Sequence, residues 1–220
     1  MVKSLLLLLF MLAAVPVHAA SAISCHCYQD RSFDPQRAAA ADPYFLATTQ
    51  NSLLAAVFKL SKKEVVRAKM SGSSGDDLWI SHFLAQRTAQ STEQWMAGRS
   101  SAGSWGKAVT AAKLSASELG PRVAKAVKEE LGDEALARAV AEELLISRAG
   151  IDPAVLNALG KASASLQETI LAVFLAAQSG QPASELFQAV QSKNTTWGRL
   201  LDGYQIPPGE IEQRVIRMLR

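Results

Sequence analysis

One set of motifs occurs twice in this chain, and that repetition constrains the fold more than any single residue. Trp79-Ile80 and Phe83-Leu84-Ala85 return as Ile170-Leu171 and Phe174-Leu175-Ala176, and Trp105-Gly106 returns as Trp197-Gly198. Self-similarity at a fixed period assigns the shared apolar positions to a common core. The register holds through loops of differing length. Val65 and Val66 precede Val155 and Leu156 by 90 positions, Phe83 precedes Phe174 by 91, and Trp95 precedes Phe187 by 92. Leu119, Val123 and Val127 precede Ile211, Val215 and Leu219 by the same 92, which keeps an i, i+4, i+8 stripe, the apolar face of a helix, in both copies.

Glycine, proline and serine cut the chain into helix-length pieces, and no stretch alternates apolar with polar residues for long enough to argue a strand. The expected fold is all-α, with two tandem, similar halves of about six short helices each, residues 42–131 and 132–220, packed as one bundle or two small subdomains. The first half is expected to start at Asp42-Pro43, with Asp as cap, and to carry Leu53, Leu54, Val57 and Phe58 inward. Helices over 62–70, 76–88, 91–99, 105–114 and 117–131 follow, and the second half repeats the order over 134–148, 152–161, 165–178, 183–192, 196–204 and 208–219. Isolated helices shorter than about 12 to 15 residues are marginal in water, so these must pack to persist. Trp105 and Trp197 each open a helix ahead of a glycine, and are read either as core indoles or as binding aromatics.

The N-terminus reads as a secretory signal over 1–22. Lys3 is a positive n-region, Leu5 to Val15 is apolar throughout, and Pro16 ends the run before small residues that fit cleavage after Ala19 or Ala22. The run falls short of the ~20 residues that span a bilayer, so no transmembrane segment is expected in the mature chain. A periplasmic or secreted protein is the expectation, with residues 23–41 as a flexible lead. Ala22-Ile23-Ser24-Cys25 also loosely matches a lipobox, which makes a lipid anchor on Cys25 the alternative location. Without Lys3 the 23 Lys and Arg become 22 against 20 Asp and Glu, so steering toward polyanions at long range is weak.

Cys25-His26-Cys27 is the one compact cluster of reactive side chains, and the second half has no counterpart. In an oxidising compartment its thiols are candidates for a strained, redox-active bridge. Two thiolates and an imidazole equally suit zinc or copper(I), with Asp30 or Asp34 as a further donor, and this is the only cofactor expectation. The haem signature C-x-x-C-H is absent. Of the histidines that survive signal removal, His26 and His82, the latter lies mid-helix among Trp79, Ile80 and Phe83 and reads as structural. Asp76-Asp77 reads as a helix start, and Asn194-Thr195-Thr196 as a cap or a glycosylation acceptor.

Lys59, Lys62, Lys63, Arg67 and Lys69 form the densest basic patch, a candidate surface for an anionic partner, and Arg214, Arg217 and Arg220 form a smaller stripe. The segments Ser104-Trp105-Gly106-Lys107-Ala108-Val109 to Leu119 and Thr196-Trp197-Gly198-Arg199-Leu200-Leu201 to Ile211 resemble the repeated Trp-Gly helical unit of uncharacterised exported bacterial proteins, which implies an all-helical fold and no known activity. In outline they also resemble a helix-turn-helix, but near-neutral charge and export argue against nucleic-acid binding. The chain is therefore expected to be a structural or interaction module of the bacterial envelope, without catalysis of its own, binding a protein or envelope component. A redox or metal-handling protein using Cys25, His26 and Cys27 is the alternative, and a cell-wall hydrolase the third reading.

Overall fold

Residues 34–219, which the computed structural model describes, form thirteen α-helices and two 3-10 turns, and no strand occurs among them. After a turn at Pro35–Arg37 come α1 (Asp42–Phe58), α2 (Lys62–Met70), α3 (Gly75–Ala85), α4 (Thr92–Ala102), α5 (Trp105–Ala111), α6 (Ala116–Leu119) and α7 (Pro121–Lys128). Then follow α8 (Asp133–Ala149), α9 (Pro153–Lys161), α10 (Leu166–Ser179), α11 (Ala183–Gln191), α12 (Trp197–Gly203), a turn at Pro208–Glu210 and α13 (Ile211–Met218). The helices α1 to α5 run 17, 9, 11, 11 and 7 residues, and α8 to α12 run 17, 9, 14, 9 and 7.

Serine is the commonest residue at the helix starts. Ser61, Ser74, Ser91, Ser115 and Ser165 each accept the N–H three residues on, and the acid or Gln at that place reaches back to the serine's own N–H. Such capping boxes satisfy N–H groups that a helix start leaves free. The cap of α4 is Ser91, one residue before Thr92, and Thr196 caps α12.

The packing crosses from one series of helices to the other. The first helix, α1, lies mainly against α10 and α13 and touches α12, all more than 100 residues away in sequence, while α8 lies against α3 and α7 and touches α5. One apolar cluster runs through both series, with Leu53 and Leu54 of α1, Trp79 and Phe83 of α3, Val140 and Leu144 of α8, and Ile170 and Phe174 of α10 all within it. Burying each such side chain fully contributes roughly 1.5 to 3 kcal/mol. Because α1 is covered on nearly every side, its central Thr48, Thr49, Gln50, Asn51 and Ser52 are buried as well as its apolar residues. Gln50 accepts from Gln167 of α10 at 2.9 Å, Asn51 accepts from Lys69 Nζ at 2.6 Å, and Thr49 donates to the Phe45 carbonyl at 2.8 Å.

The helix expected over 117–131 is two helices. Gly120 sits at φ 79°, ψ 156°, a conformation essentially reserved for glycine, and Pro121 begins α7 beyond it. The Glu143 carboxylate crosses this corner and accepts the Arg122 N–H at 3.0 Å, so a Cβ on Gly120 would stand 2.6 Å from Glu143 Cδ. The stripe survives the bend: Leu119 and Val123 are buried, as are Ile211 and Val215. Gly120→Ala is expected to cost about 1 to 3 kcal/mol in urea unfolding from backbone strain alone, whereas Gly98→Ala, mid-helix with open space around its Cβ, should stabilise slightly.

Candidate functional site

The two Trp-Gly segments meet a carboxylate each, and in both cases the acid comes from the first residue of a long helix. Asp133, which opens α8, accepts the Trp105 N–H through Oδ1 at 2.9 Å and binds Arg99 through Oδ2 at 3.1 Å. Asp42, which opens α1, accepts the Trp197 and Gly198 N–H groups at 3.3 and 2.8 Å. Both helix starts, α5 and α12, thereby receive an anion at the end where their dipole is positive. Asp42 does not cap its own helix as the sequence pattern suggested; the N-cap position is Ala41, without a side-chain bond, and the carboxylate is used across the structure instead. Asp152 is the local cap that Asp42 is not, accepting the Ala154 N–H at 2.8 Å.

Trp105 and Trp197 are buried, at 0% and 2% exposure, so neither offers a ring face to solvent. The Trp105 indole N–H donates to Asp77 Oδ1 at 2.8 Å, and Asp77 also closes the capping box of α3. Gly198 is buried and Gly106 half-buried, but a Cβ on Gly106 would meet only the Leu131 carbonyl at 4.0 Å, an ordinary contact, so no close approach requires glycine there.

The two joints differ electrostatically. Burial pushes the Asp42 carboxyl above its ordinary value, opposed by the two backbone N–H groups bonded to it. Asp133 has Arg99. Asp76 is also pushed up, first by burial and then by Glu134, Asp77 and Asp133, with Lys69 opposing. Elsewhere Glu142, only 8% exposed in its side chain, is bound by Arg122 at 2.5 Å and Arg138 at 3.5 Å. Arg122 continues to Pro153 O and Asn157, and Arg138 to Ala164 O and Thr169, so one buried anion ties α7 and α8 to α9 and α10.

The basic patch divides in two. Lys62 pairs with Glu212 of α13 at 3.4 Å and Lys69 reaches Asn51, flanking buried Val65, while Lys59, Lys63 and Arg67 stay exposed. In the smaller stripe, Arg214 is bound to Glu210 at 2.8 Å and Arg217 is exposed. His82 stacks on Phe58 at 5.4 Å, and burial lowers its pKa against the pull of Glu93, which leaves it neutral packing. Cys25, His26 and Cys27 lie outside the described residues, within which no group of three or more His, Cys, Asp or Glu is placed to hold a metal. Nor is any helix there long and apolar enough to cross a membrane. A groove of about 420 Å³ opens between α5 and α7, with Val127, Ala111 and Leu131 as its apolar wall and Lys107 and Glu130 at its edge.

Asp133, Arg99, Glu142 and Arg122 were not singled out by sequence pattern. Asp133 had a usable signal, standing 91 positions after Asp42; the ion pairs Arg122–Glu142 and Arg99–Asp133 join residues 20 and 34 apart and leave no local trace. Comparison of the chain with protein families, with curated proteins and with solved structures finds no match.

Asp42→Ala strands two N–H groups and is expected to cost about 1 to 3 kcal/mol, with Asp42→Asn costing less because the amide oxygen still accepts. Because the native pKa of Asp42 is raised, the folded state binds its proton more tightly than the unfolded chain. The stability of the natural protein relative to Asp42→Asn should therefore rise as pH falls from above the raised value toward 3.8. Unfolding curves across that range check the sign, and a relative loss of stability would contradict it.

Proposed function

We propose that this chain is an exported helical interaction module of the bacterial envelope, built from a duplicated helical unit, that holds a partner and performs no chemistry of its own. One observation carries the reading. Four carboxylates at the helix junctions are taken up by internal bonds: Asp42 and Asp133 hold helix starts, Glu142 is bound by two guanidiniums, and Asp77 receives the Trp105 indole N–H. What such an interior leaves for a partner is the outside, where Lys59, Lys63 and Arg67 and the groove beside α5 stand open.

A second reading, a redox or metal-handling protein, rests on the Cys25-His26-Cys27 sequence, with the helices as its carrier. One experiment separates the two. The purified chain, mixed with isolated envelope fragments, is expected to pellet with them saturably, and the Cys25→Ser, Cys27→Ser double variant is expected to pellet equally with unchanged helix content. No saturable pelleting contradicts the module. Retention lost in the double variant, with metal uptake or thiol exchange lost alongside it, supports the second reading instead.

A further inference from the structure

The second helix sorts its residues by face. Lys62, Val65 and Lys69, spaced i, i+3, i+7, turn toward the body: Val65 is 1% exposed, Lys62 meets Glu212 and Lys69 meets Asn51. Lys63, Arg67 and Met70, spaced i, i+4, i+7, form an outer stripe, with Lys63 and Arg67 exposed and Met70 61% exposed. Lys59 extends the stripe from the preceding turn, also exposed. The acids nearby are engaged. Glu64 is bonded to Ser61, which together with Arg67 holds its carboxyl below the ordinary range, and Glu212 is paired to Lys62.

The Lys62–Glu212 pair ties α13 to α2, and α13 presents Ile216, 40% exposed, one turn beyond Glu212, with exposed Arg217 beside it. Met70 and Ile216 are two of the three large apolar side chains left exposed among the described residues. The fold does not call for this surface. In α9, the nine-residue helix capped by Asp152 as α2 is by Ser61 and burying Leu156 as α2 buries Val65, the helix starts align at 91, one more than the 90 that pairs Val65 with Val155 in sequence, and the positions matching Lys63 and Arg67 are exposed Ala154 and Ala158. Of this surface α9 keeps one cation, Lys161 in the place of Met70, and no exposed large apolar side chain.

We propose that the outer face of α2 with the adjoining end of α13 docks on an anionic phospholipid surface, the cations meeting headgroup phosphates and Met70 and Ile216 entering the interfacial layer. The proposal rests on the reading of this chain as an envelope interaction module and names its partner. Charge complementarity alone would also suit a soluble polyanion, but exposed Met70, one turn from Arg67, and exposed Ile216, next to Arg217, gain nothing from a fully hydrated polymer, whereas they bury surface in a lipid interface.

Sedimentation of the purified full chain with vesicles tests this, using about three parts phosphatidylcholine to one of phosphatidylglycerol, with phosphatidylcholine alone as the comparison. Binding is expected only to the anionic vesicles and should weaken with salt. Each cation removed lowers partition about fivefold, so Lys63→Ala with Arg67→Ala should lower it about 25-fold. Met70→Ser with Ile216→Ser should lower it several-fold while leaving the salt dependence unchanged. Lys161→Ala on α9 should change nothing, and circular dichroism of every variant should match the parent. Equal binding to both vesicle types, no binding to either, or unaltered binding in the Lys63, Arg67 variant would overturn the lipid proposal. So would binding to soluble polyphosphate with the same dependence on Lys63 and Arg67 but none on Met70 and Ile216. Envelope retention that persists in all these variants would refute this surface and leave the module reading standing.

Discussion

A single carboxylate set against the free N–H groups of a Trp-led helix organises this protein. A helix start exposes unsatisfied donors and a partial positive charge, and when the start is buried something must answer both. Here the answer comes from a residue far off in the chain: Asp133 for Trp105, Asp42 for Trp197 and Gly198. For α1 and α3 the main neighbours in space are not the neighbours in sequence. The N-terminal helix α1 is held by α10, α12 and α13, and α8 is held by α3, α5 and α7. Without the two joints, short helices that are marginal on their own would have less to fix their mutual angle.

That arrangement determines what is left for binding. In a central helix covered on nearly every side, Gln50 and Asn51 find Gln167 and Lys69, whereas the buried Ser52 hydroxyl has no hydrogen-bond partner among the described residues. Lys69 and Lys62 are thereby drawn out of the basic patch into structural work. The remaining cations, Lys59, Lys63 and Arg67, stay exposed.

Much of the fold was legible in the sequence because hydrophobic spacing and the breaks made by glycine, proline and serine are local signals. The inward set Leu53, Leu54, Val57 and Phe58 is buried, as are Trp79, Ile80, Phe83 and Leu84. The bend at Gly120-Pro121 was missed because the apolar stripe runs on through it, and periodicity registers the stripe, not the backbone conformation between Leu119 and Val123. Asp42 was read as a local cap because Asp before Pro usually is one; its true partners lie 155 and 156 residues away and leave no mark nearby. The split of the basic patch was likewise invisible, since it depends on Glu212 and Asn51 arriving from other helices.

If its contacts with α10 and α13 set the stability of α1, these helices open together. Native-state amide exchange measures this directly, because residues that open together share one opening free energy. The amides of Leu54 and Val57 are expected to open with those of Leu171 and Phe174 of α10 and Val215 of α13, and more rarely than those of α2. Early exchange of Leu54 and Val57, together with α2 and independently of α10 and α13, would show that α1 is not held by the last helices.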